Sequence, residues 1–339
     1  MRILHAVRSD GFAGVESHVA RLAHAQQALG HDVVVIGGAP ARMPVVAGAG
    51  VRTLAASTVL EVLEVARPWV AGADIVHAHM TAAEIACAAA LFGRTTPLVA
   101  TCHFARERGS NPVAAVAARA AARRIDAQIA ISRYVADKVA GPSVVVHPGV
   151  DSTCAVRPAA ERDRVVLLAQ RLEPEKEGDV ALRAFAASGI AARGWRLEVA
   201  GDGAERAHLT RLAAELGIDG VTAFLRQRHD VPELMRRAGL LLAPCRIEGL
   251  GLTVLEAMAA GLPVVAVAAG GHLETVGMAP DAALHPPGDA VRAGQLLAGL
   301  AADPARRDAY AARLARIQRD RFTPAHQADE TEAVYRSVL

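Results

Sequence analysis

The chain has 339 residues, of which 52% are hydrophobic, 21% charged and only 3% aromatic. This length predicts two domains at roughly 100–200 residues each, and the apolar composition excludes an intrinsically disordered protein. The net charge of +2 provides no broad field that would attract nucleic acid or another acidic polymer.

Signals for export, membrane insertion and cysteine chemistry are absent from the sequence. The first residues, Met1–His5, do not follow the pattern of a signal peptide, and no apolar run approaches the ~20 residues of a membrane span. The four cysteines are widely separated without a C-x-x-C pair, which argues against zinc and against a disulfide framework. We therefore expect a soluble, cytoplasmic protein.

Arginine takes the place of lysine almost everywhere in the chain. Only Lys138 and Lys176 are lysines, so 35 of the 37 basic residues are arginines. Genome composition is the simplest explanation of this bias, and the bias makes the position of each lysine informative.

Short β-type runs alternate with helical patterns in the first half of the chain. Val15, Val19, Leu22 and Leu29 recur at helical spacing and are followed by Gly30, which predicts a helix between the first two strands. The predicted strands of this half are Ile3–Val7, Asp32–Gly38, Asp74–Ala78, Pro97–Cys102, Ala127–Ile131 and Val144–His147.

A second series of the same kind follows a break at His147–Asp151. Its predicted strands are Arg164–Ala169, Arg196–Gly201, Val221–Leu225, Gly239–Pro244 and Pro263–Val267. Alternating strands and helices predict parallel sheets with right-handed crossovers. The predicted fold class is therefore α/β, with two doubly wound Rossmann-like domains facing each other across a cleft.

The predicted domains are residues 1–152 and 153–322, followed by a C-terminal helix at 323–339. Spacing leaves open whether this helix caps the second domain or crosses back to the first. Ligands of such sheets bind beyond the carboxyl ends of the strands, so we expect the functional residues there.

Two glutamates eight positions apart flank a glycine-containing turn after a predicted strand. Glu248 lies in the turn, and Glu256 lies about one turn into a helix predicted to start near Thr253, which can cap it. The two carboxylates can accept hydrogen bonds from separated hydroxyls of one polyol, and the amides at the helix start can bind an anion. A solvated surface turn is the alternative interpretation.

Residues 248–265 resemble the E-x7-E signature of the retaining family 4 glycosyltransferases, which have the GT-B fold. Further matches occur in family order over about residues 1–265. They are Gly14–Val19, Gly30–Val33, Asp74–His79, His147–Asp151, Arg171–Lys176 and Val199–Gly203.

The resemblance assigns a diphosphate clamp to Arg171 and Lys176. A guanidinium and an ammonium suit a leaving diphosphate, whose charge grows as the sugar bond breaks. A solvated charged turn is the alternative, and Lys176 favours the clamp because it is the only lysine of the second domain. The family usually has glycine directly after this lysine, where the chain has Glu177 before Gly178. This insertion is expected to shift Lys176 or to place a repelling carboxylate beside it.

The first domain contributes Gly14 and His103 by the same resemblance. Gly14 follows the first strand and implies close approach of the backbone to the donor, although the family's usual second glycine is Ala13 here. His103 ends a predicted strand, from which its side chain can reach the cleft and contact the transferred sugar, or it is an ordinary histidine at a strand end. His77 and His79 point the same way on their strand, but no carboxylate or cysteine motif completes a metal site, and we expect none.

The resemblance thus implies a retaining transferase that moves a hexose-type sugar from a nucleotide diphosphate sugar to an acceptor hydroxyl. Arg171, Lys176, Glu248 and His103 would form the catalytic group. The donor would be bound by Gly14, Arg171, Lys176, Glu248, Gly249, Leu250, Gly251, Leu252 and Glu256. No cofactor is required, a UDP-sugar is favoured over a GDP-sugar, and the acceptor is a small molecule, a lipid-linked molecule or a polysaccharide. The base is expected near Leu225–Arg228, where the family often has glycine in place of Arg226.

Three alternatives accompany this reading. A nucleotide-sugar epimerase shares the architecture but would convert the donor without an acceptor. A catalytically inactive nucleotide-sugar-binding protein is favoured by Ala13 and Glu177. The arginines of Phe104–Arg124, including Arg108, allow peripheral attachment at the inner membrane face, but Glu107 and the scarcity of large apolar residues favour a solvated face.

Overall fold

A computed structural model describes residues 1–106, 112–152 and 157–339. The chain divides into two compact units, Met1–Gly149 with Thr323–Leu339 and Val150–Phe322. Glu107, Arg108, Cys154 and the predicted first residue of the second domain, 153, lie outside the described residues.

The first unit contains a seven-stranded parallel sheet in the order β3-β2-β1-β4-β5-β6-β7. Its strands are Arg2–Val7 (β1), Asp32–Ile36 (β2), Arg52–Leu54 (β3), Ile75–His79 (β4), Leu98–Cys102 (β5), Ala127–Ala130 (β6) and Val144–Val145 (β7). The helices between them are Gly14–Ala28 (α1), Met43–Ala47 (α2), Val59–Val70 (α3), Thr81–Ala90 (α4), Pro112–Ala122 (α5) and Arg133–Ala136 (α6). This confirms the predicted parallel α/β sheet.

The predicted second strand was two residues too long at its carboxyl end. It ends at Ile36, because Gly37 and Gly38 adopt φ angles of 95° and 82° that break the extended backbone. A side chain at Gly37 would place its Cβ 1.7 Å from the carbonyl oxygen of Val7. The strand β3 was not predicted, because three residues carry too little periodicity.

The second unit contains a six-stranded parallel sheet in the order β10-β9-β8-β11-β12-β13. Its strands are Val165–Ala169 (β8), Arg196–Ala200 (β9), Thr222–Arg226 (β10), Leu240–Ala243 (β11), Val264–Val267 (β12) and Leu284–His285 (β13). Its helices are Gly178–Ser188 (α7), Arg206–Glu215 (α8), Val231–Arg237 (α9), Leu252–Ala259 (α10), Ala290–Ala302 (α11) and Pro304–Arg321 (α12). The five predicted strands are confirmed to within one residue at each end, and the two-residue β13 was missed.

The last helix, Pro324–Arg336 (α13), belongs to the first unit. Val334 and Tyr335 are buried in one hydrophobic cluster with Ile3 of β1 and Val99 of β5. At the return point, the backbone of Thr323 lies so close to Gly149 that a Cβ there would come within 2.2 Å of it. The C-terminal segment therefore completes the core of the unit in which the chain begins.

Candidate active site

In the second unit, the loops that follow β8 and β9 pack tightly against each other at the carboxyl ends of these strands. Leu172 N–H donates to the carbonyl of Asp202 at 2.9 Å. A Cβ at Gly201 would lie 1.8 Å from the carbonyl oxygen of Gln170, and one at Gly203 would lie 2.3 Å from that of Leu172. Glycine is required at both positions because the two backbones are in direct contact, which leaves no room for a side chain. The contact lies at the edge of the sheet where ligands of parallel sheets bind.

An ion pair between Lys176 and Glu248 joins the loop after β8 to the loop after β11. The Lys176 Nζ donates to Glu248 Oε2 at 2.7 Å, and the two side chains are 18% and 27% exposed. Burial lowers the pKa of Lys176, but the Glu248 carboxylate more than offsets this, and the net shift is upward. The lysine is therefore a cation held in place at neutral pH, which disfavours the alternative of a solvated charged turn at Lys176.

Because Glu177 follows Lys176 directly, its carboxylate was expected to lie beside the lysine. The structure places this carboxylate against Arg246. Glu177 adopts the left-handed conformation (φ 52°, ψ 42°) directly before α7. Its carboxylate accepts from the backbone N–H of Arg246 at 2.9 Å and faces the Arg246 Nε at 3.4 Å. Glu177 thus occupies a conformation that favours glycine, and its carboxylate contacts Arg246 in the loop after β11.

Among the described residues, three non-glycine residues have a positive φ, and each lies at the end of a strand or in the loop that follows one. Met80 follows β4, Glu177 lies in the loop after β8, and Arg226 ends β10 at an irregularity of the pairing with β9. Such conformations cost of order 1–3 kcal/mol each and cluster at functional sites. Arg226 at φ 59° occupies a conformation that glycine adopts without strain.

The helix α10 starts one residue earlier than predicted, and Thr253 does not cap it. Gly251, with a φ of 91°, precedes the first helical residue Leu252, and no side chain caps the helix. The turn before the helix is held by Gly271 N–H, which donates to the carbonyl of Glu248 at 2.9 Å. A Cβ at Gly271 would come within 2.3 Å of Leu250, so two glycine-bearing loops are in direct backbone contact.

His272 is a site residue that the sequence reasoning missed. It is 1% exposed, and its ring lies 3.4 Å from where a Cβ of Gly251 would be, at the same distance as the Glu248 side chain. Burial lowers the pKa of His272 to about 4, although Glu248 opposes the shift, so the imidazole is neutral beside the ion pair. The Gly270–His272 segment gave no recognisable motif, because the contact depends on two loops meeting.

The other predicted residues of this unit are less tightly placed. Arg171 is 62% exposed and pairs with Glu175 at 3.2 Å, whereas Lys176 pairs with Glu248. Glu256 is half-buried at the fifth position of α10. The loop Gly249–Leu252 leads directly into the helix, as predicted.

In the first unit, Gly14 is the first residue of α1, so its amide lies at a helix N-terminus. The Glu16 carboxylate accepts from the Ala13 N–H at 2.8 Å at the same helix start. Gly14 is thus placed where the prediction required it, with an acidic side chain beside it.

His103 follows β5, but its side chain is 6% exposed rather than freely accessible. It belongs to a buried group of five imidazoles, which we call the histidine cluster: His5, His18, His77, His79 and His103. The sequence considered only carboxylates and cysteines as partners for His77 and His79, whereas the neighbours are three further histidines from β1, α1 and the end of β5. Burial lowers the pKa of every member, to about 4 for His5 and about 3 for His103.

Two sets of cluster nitrogens are close enough to be considered as metal ligands. The sets are His5, His77 and His79, and His18, His79 and His103, each within 4.8 Å. The ring nitrogens are also within hydrogen-bond distance of one another and of neighbouring polar groups. Three of the histidines, His5, His79 and His103, are joined directly by hydrogen bonds, and His77 bonds to Tyr335 and Thr101.

Two family models together match nearly the whole chain. Residues 153–326 match the family described as Glycosyl transferases group 1, and residues 12–153 match that described as Glycosyltransferase Family 4. The chain belongs to the family 4 glycosyltransferases.

Curated relatives of this glycosyltransferase are 34–41% identical to it over the aligned segments. A D-inositol 3-phosphate glycosyltransferase of Saccharomonospora viridis is 34% identical over 291 residues, which is 79% of this chain and 65% of the relative. That of Mycobacterium tuberculosis strain H37Ra is 41% identical over 145 residues, or 38% of this chain and 29% of the relative. The chain thus covers less than two thirds of the length of these relatives.

Solved structures with the same fold include proteins crystallised with UDP. Anabaena HepE in complex with UDP and glucose has a TM-score of 0.81 at 22% identity, over 99% of this chain and 100% of HepE. A sucrose-phosphate synthase from Thermosynechococcus elongatus has a TM-score of 0.80 at 18% identity, over 100% of this chain and 99% of that one. The predicted GT-B fold is confirmed.

Among the helices in the described ranges, none is both long and apolar enough to cross a membrane.

Proposed function

We propose that this glycosyltransferase moves a hexose-type sugar from a nucleotide diphosphate sugar to an acceptor hydroxyl, with retention at the anomeric carbon. The observation that carries the proposal is the Lys176–Glu248 pair, held at 2.7 Å where the loops after β8 and β11 meet. A fixed ammonium beside a fixed carboxylate suits a diphosphate joined to a polyhydroxylated ring, since one binds phosphate oxygens and the other accepts from hydroxyls.

The remaining roles follow the order of groups along such a donor. Lys176 and Arg171 neutralise the leaving diphosphate, and amides of Gly14 and of Gly249–Leu252 assist them. Glu248 accepts hydrogen bonds from the sugar, Glu256 from the ribose, and His103 contacts the sugar. Lys176 exchanges its bond to Glu248 for the phosphate when the donor binds, which frees the carboxylate for the hydroxyls.

The transfer is proposed to proceed without a metal cofactor, and with a UDP-sugar before a GDP-sugar. Charge on the diphosphate is then balanced by Lys176, Arg171 and helix amides. The choice of UDP is supported by HepE, which was crystallised with UDP, glucose and UDP-glucose. Polyol phosphates such as D-inositol 3-phosphate are the first acceptors to test, since the curated relatives are named for that substrate.

The first experiment measures thermal stabilisation by UDP, GDP, ADP, TDP and NAD, each with and without Mg²⁺. A ligand at ~100 times its Kd adds about 2.7 kcal/mol, which raises the Tm by a few degrees. We expect stabilisation by UDP without Mg²⁺. A response to NAD alone, or to no diphosphate, would overturn the proposed donor site.

Lys176→Ala should lower sugar transfer by about 100-fold or more, because a preorganised positive charge is lost where negative charge develops. The chain supplies its own control, since Lys138 is the only other lysine and is exposed on the first unit. Lys138→Ala should transfer sugar at the unaltered rate. Equal activity of the two variants would remove Lys176 from the mechanism.

Unlike a solvated lysine, Lys176 also affects folding, because its loss leaves the half-buried Glu248 carboxylate unpaired. We expect Lys176→Ala to lower the free energy of unfolding by about 1 kcal/mol, so activity is compared at a temperature where both variants are folded. Incubation with the donor alone distinguishes a transferase from an epimerase. A transferase slowly hydrolyses the donor, whereas an epimerase leaves the nucleotide sugar uncleaved and changes the configuration of one carbon.

A further inference from the structure

Three members of the histidine cluster form a chain of hydrogen bonds that starts at a glutamine of α1. His5 Nε2 lies 2.6 Å from Gln26 Oε1, and His5 Nδ1 lies 3.0 Å from His79 Nε2. His79 Nδ1 lies 3.1 Å from His103 Nε2. All four residues are at most 6% exposed, so these groups are largely shielded from solvent.

The position of each proton along this chain follows from its first member. An amide oxygen can only accept, so His5 must carry its proton on Nε2. A neutral imidazole has one proton, so His5 Nδ1 is bare and accepts from the Nε2–H of His79. By the same reasoning His79 Nδ1 is bare and accepts from the Nε2–H of His103. His103 is left with an unprotonated Nδ1.

The direction of the hydrogen-bond chain depends on which end of the Gln26 amide faces His5; here the oxygen faces His5, and the amide nitrogen faces Tyr335 of the C-terminal helix. Gln26 Nε2 donates to the Tyr335 hydroxyl at 3.2 Å. That hydroxyl lies 2.6 Å from His77 Nδ1 and donates to it, and His77 Nε2–H then donates to Thr101 Oγ1 at 2.7 Å. Burial raises the pKa of Tyr335, so its hydroxyl keeps the proton that it donates.

His5 and His79 must be neutral for this hydrogen-bond pattern to exist, because an imidazolium has two N–H groups and would turn their accepting nitrogen into a donor that faces another donor. His103 is neutral because it is buried. Burial lowers the pKa of His5, His79 and His103 well below neutrality. The hydrogen-bond chain also cannot conduct protons, because it ends at the amide oxygen of Gln26. It therefore fixes the tautomer of each histidine that belongs to it.

We propose that Gln26 and Tyr335 are positioning residues that hold His103 as the Nε2–H tautomer. His103 then presents a lone pair at Nδ1 and contributes an acceptor, not a donor, to whatever lies beyond β5. Together with the proposed function, on which this consequence rests, His103 accepts a hydrogen bond from a hydroxyl of the donor sugar. A donor bearing hydrogen in place of that hydroxyl is therefore discriminated against.

Nitrogen NMR of protein labelled with ¹⁵N-histidine tests the tautomer directly, without donor or acceptor. Long-range ¹H–¹⁵N spectra identify the protonated nitrogen of each ring, and the loss of one signal set in His103→Asn assigns His103. We expect His5, His79 and His103 to be protonated at Nε2 near pH 7. A proton at His103 Nδ1 would overturn the proposal.

A matched pair of variants tests whether Gln26 sets this state. Gln26→Met removes the amide at nearly constant volume, and Gln327→Met does the same at a glutamine that is equally buried (1% exposed each). Gln327 donates to His18 at 3.2 Å, outside the chain. We expect Gln26→Met to populate the Nδ1–H tautomer of His103, while Gln327→Met leaves His103 unchanged. An unchanged His103 tautomer in Gln26→Met, or the same change in both variants, would refute the positioning role of Gln26.

Tyr335→Phe provides a second test if Gln26→Met does not fold. It removes only the hydroxyl that orients the amide, so both tautomers of His103 should then be populated. Metal analysis of the purified protein is done on the same samples. One equivalent of a divalent ion bound to the cluster would overturn the proposal, because a metal needs the lone pairs that the chain assigns to protons.

Kinetics distinguishes failure of this inference from failure of the proposed function. Gln26→Met should lower kcat for sugar transfer about tenfold, the scale of one well-placed hydrogen bond, and should have no further effect in a His103→Ala background. If the double variant loses activity by the sum of the two single effects in free energy, Gln26 does not act through His103, and the proposal is contradicted. If the protein transfers no sugar at all, the tautomer measurement still decides the positioning of His103.

Discussion

Single residues at the strand ends carry both the strain and the chemistry of this protein. Glu177 shows how a departure from the family pattern is accommodated. Its left-handed backbone is unfavourable for a residue with a side chain, and its carboxylate compensates by binding the amide of Arg246. The loop after β8 therefore keeps a glycine-like path without glycine.

Comparison of Glu177→Gly with Glu177→Ala separates the cost of the left-handed backbone from the contribution of the hydrogen bond to Arg246. Glycine relieves the backbone strain while losing the hydrogen bond, so Glu177→Gly should be within about 0.5 kcal/mol of the wild type. Alanine keeps the strain and loses the bond, so it should be less stable than glycine by about 1 kcal/mol. Urea unfolding monitored by Trp195, in a Trp69→Phe background, reports on this unit. Equal stability of the two variants would contradict the conformational argument.

At the scale of secondary structure elements, one buried arginine joins the ends of two helices. Arg162 is 8% exposed and donates to the carbonyls of Met235, Arg236 and Ala238 at the end of α9, at 3.0–3.2 Å. It also donates to Ala260 and Gly261 at the end of α10, at 2.8 and 2.9 Å. Helix C-termini carry partial negative charge, so they stabilise this cation where no carboxylate is needed.

Replacing Arg162 should therefore destabilise the second unit strongly. Arg162→Met leaves the carbonyls of two helix ends without their donor and should cost about 3 kcal/mol of unfolding free energy. Burial lowers the pKa of Arg162 only to about 10, so the side chain is charged throughout the neutral range. The neighbouring Arg164 is exposed and makes one backbone bond, so Arg164→Met should change stability by less than about 0.5 kcal/mol. Similar losses in both variants would show that Arg162 has no special role.

At the scale of the whole molecule, the two units differ in their content of buried histidine. The first unit holds the five residues of the histidine cluster, and the second holds His272 and His285 with lowered pKa values. Each unit also contains one of the two tryptophans, Trp69 in the first and Trp195 in the second. Fluorescence of single-tryptophan variants can therefore follow each unit separately.

Acidification should destabilise the first unit more steeply than the second. Burial lowers the pKa of the cluster histidines from 6.5, to about 4 for His5 and about 3 for His103. Below pH 6.5 these histidines bind protons in the unfolded state but stay neutral in the folded unit, so the free energy of unfolding falls as the pH decreases. Each such histidine contributes about 1.4 kcal/mol per pH unit, and stability should be constant above pH 7.

The measurement is the urea midpoint of each single-tryptophan variant between pH 8 and pH 5. His208→Asn, at an exposed position of α8, should leave the pH dependence unaltered. A shallower slope for the Trp69 unit than for the Trp195 unit would show that the cluster does not exclude protons.

The sequence alone determined the class of fold and the main residues of the second unit. Alternating strand and helix patterns are local signals, since burial of both sheet faces makes each strand a continuous apolar run. The positions of Lys176, Glu248 and Gly249–Leu252 followed from their place after such strands. Boundary errors were of one or two residues, as at Gly37 and Thr253, where backbone conformation rather than side-chain pattern ends or starts an element. The short strands β3 and β13 were missed because they carry too little periodicity.

Only the tertiary structure decided which side chains share a site. The engagement of Glu177 by Arg246, and the approach of His272 to Glu248, depend on loops that are far apart in sequence. The histidine chain depends on α1, three strands and the last helix, and Gln26 and Tyr335 are 309 residues apart. A hydrogen bond requires its two atoms within about 3 Å, and no pattern along one chain specifies that distance between elements that meet only in the folded core.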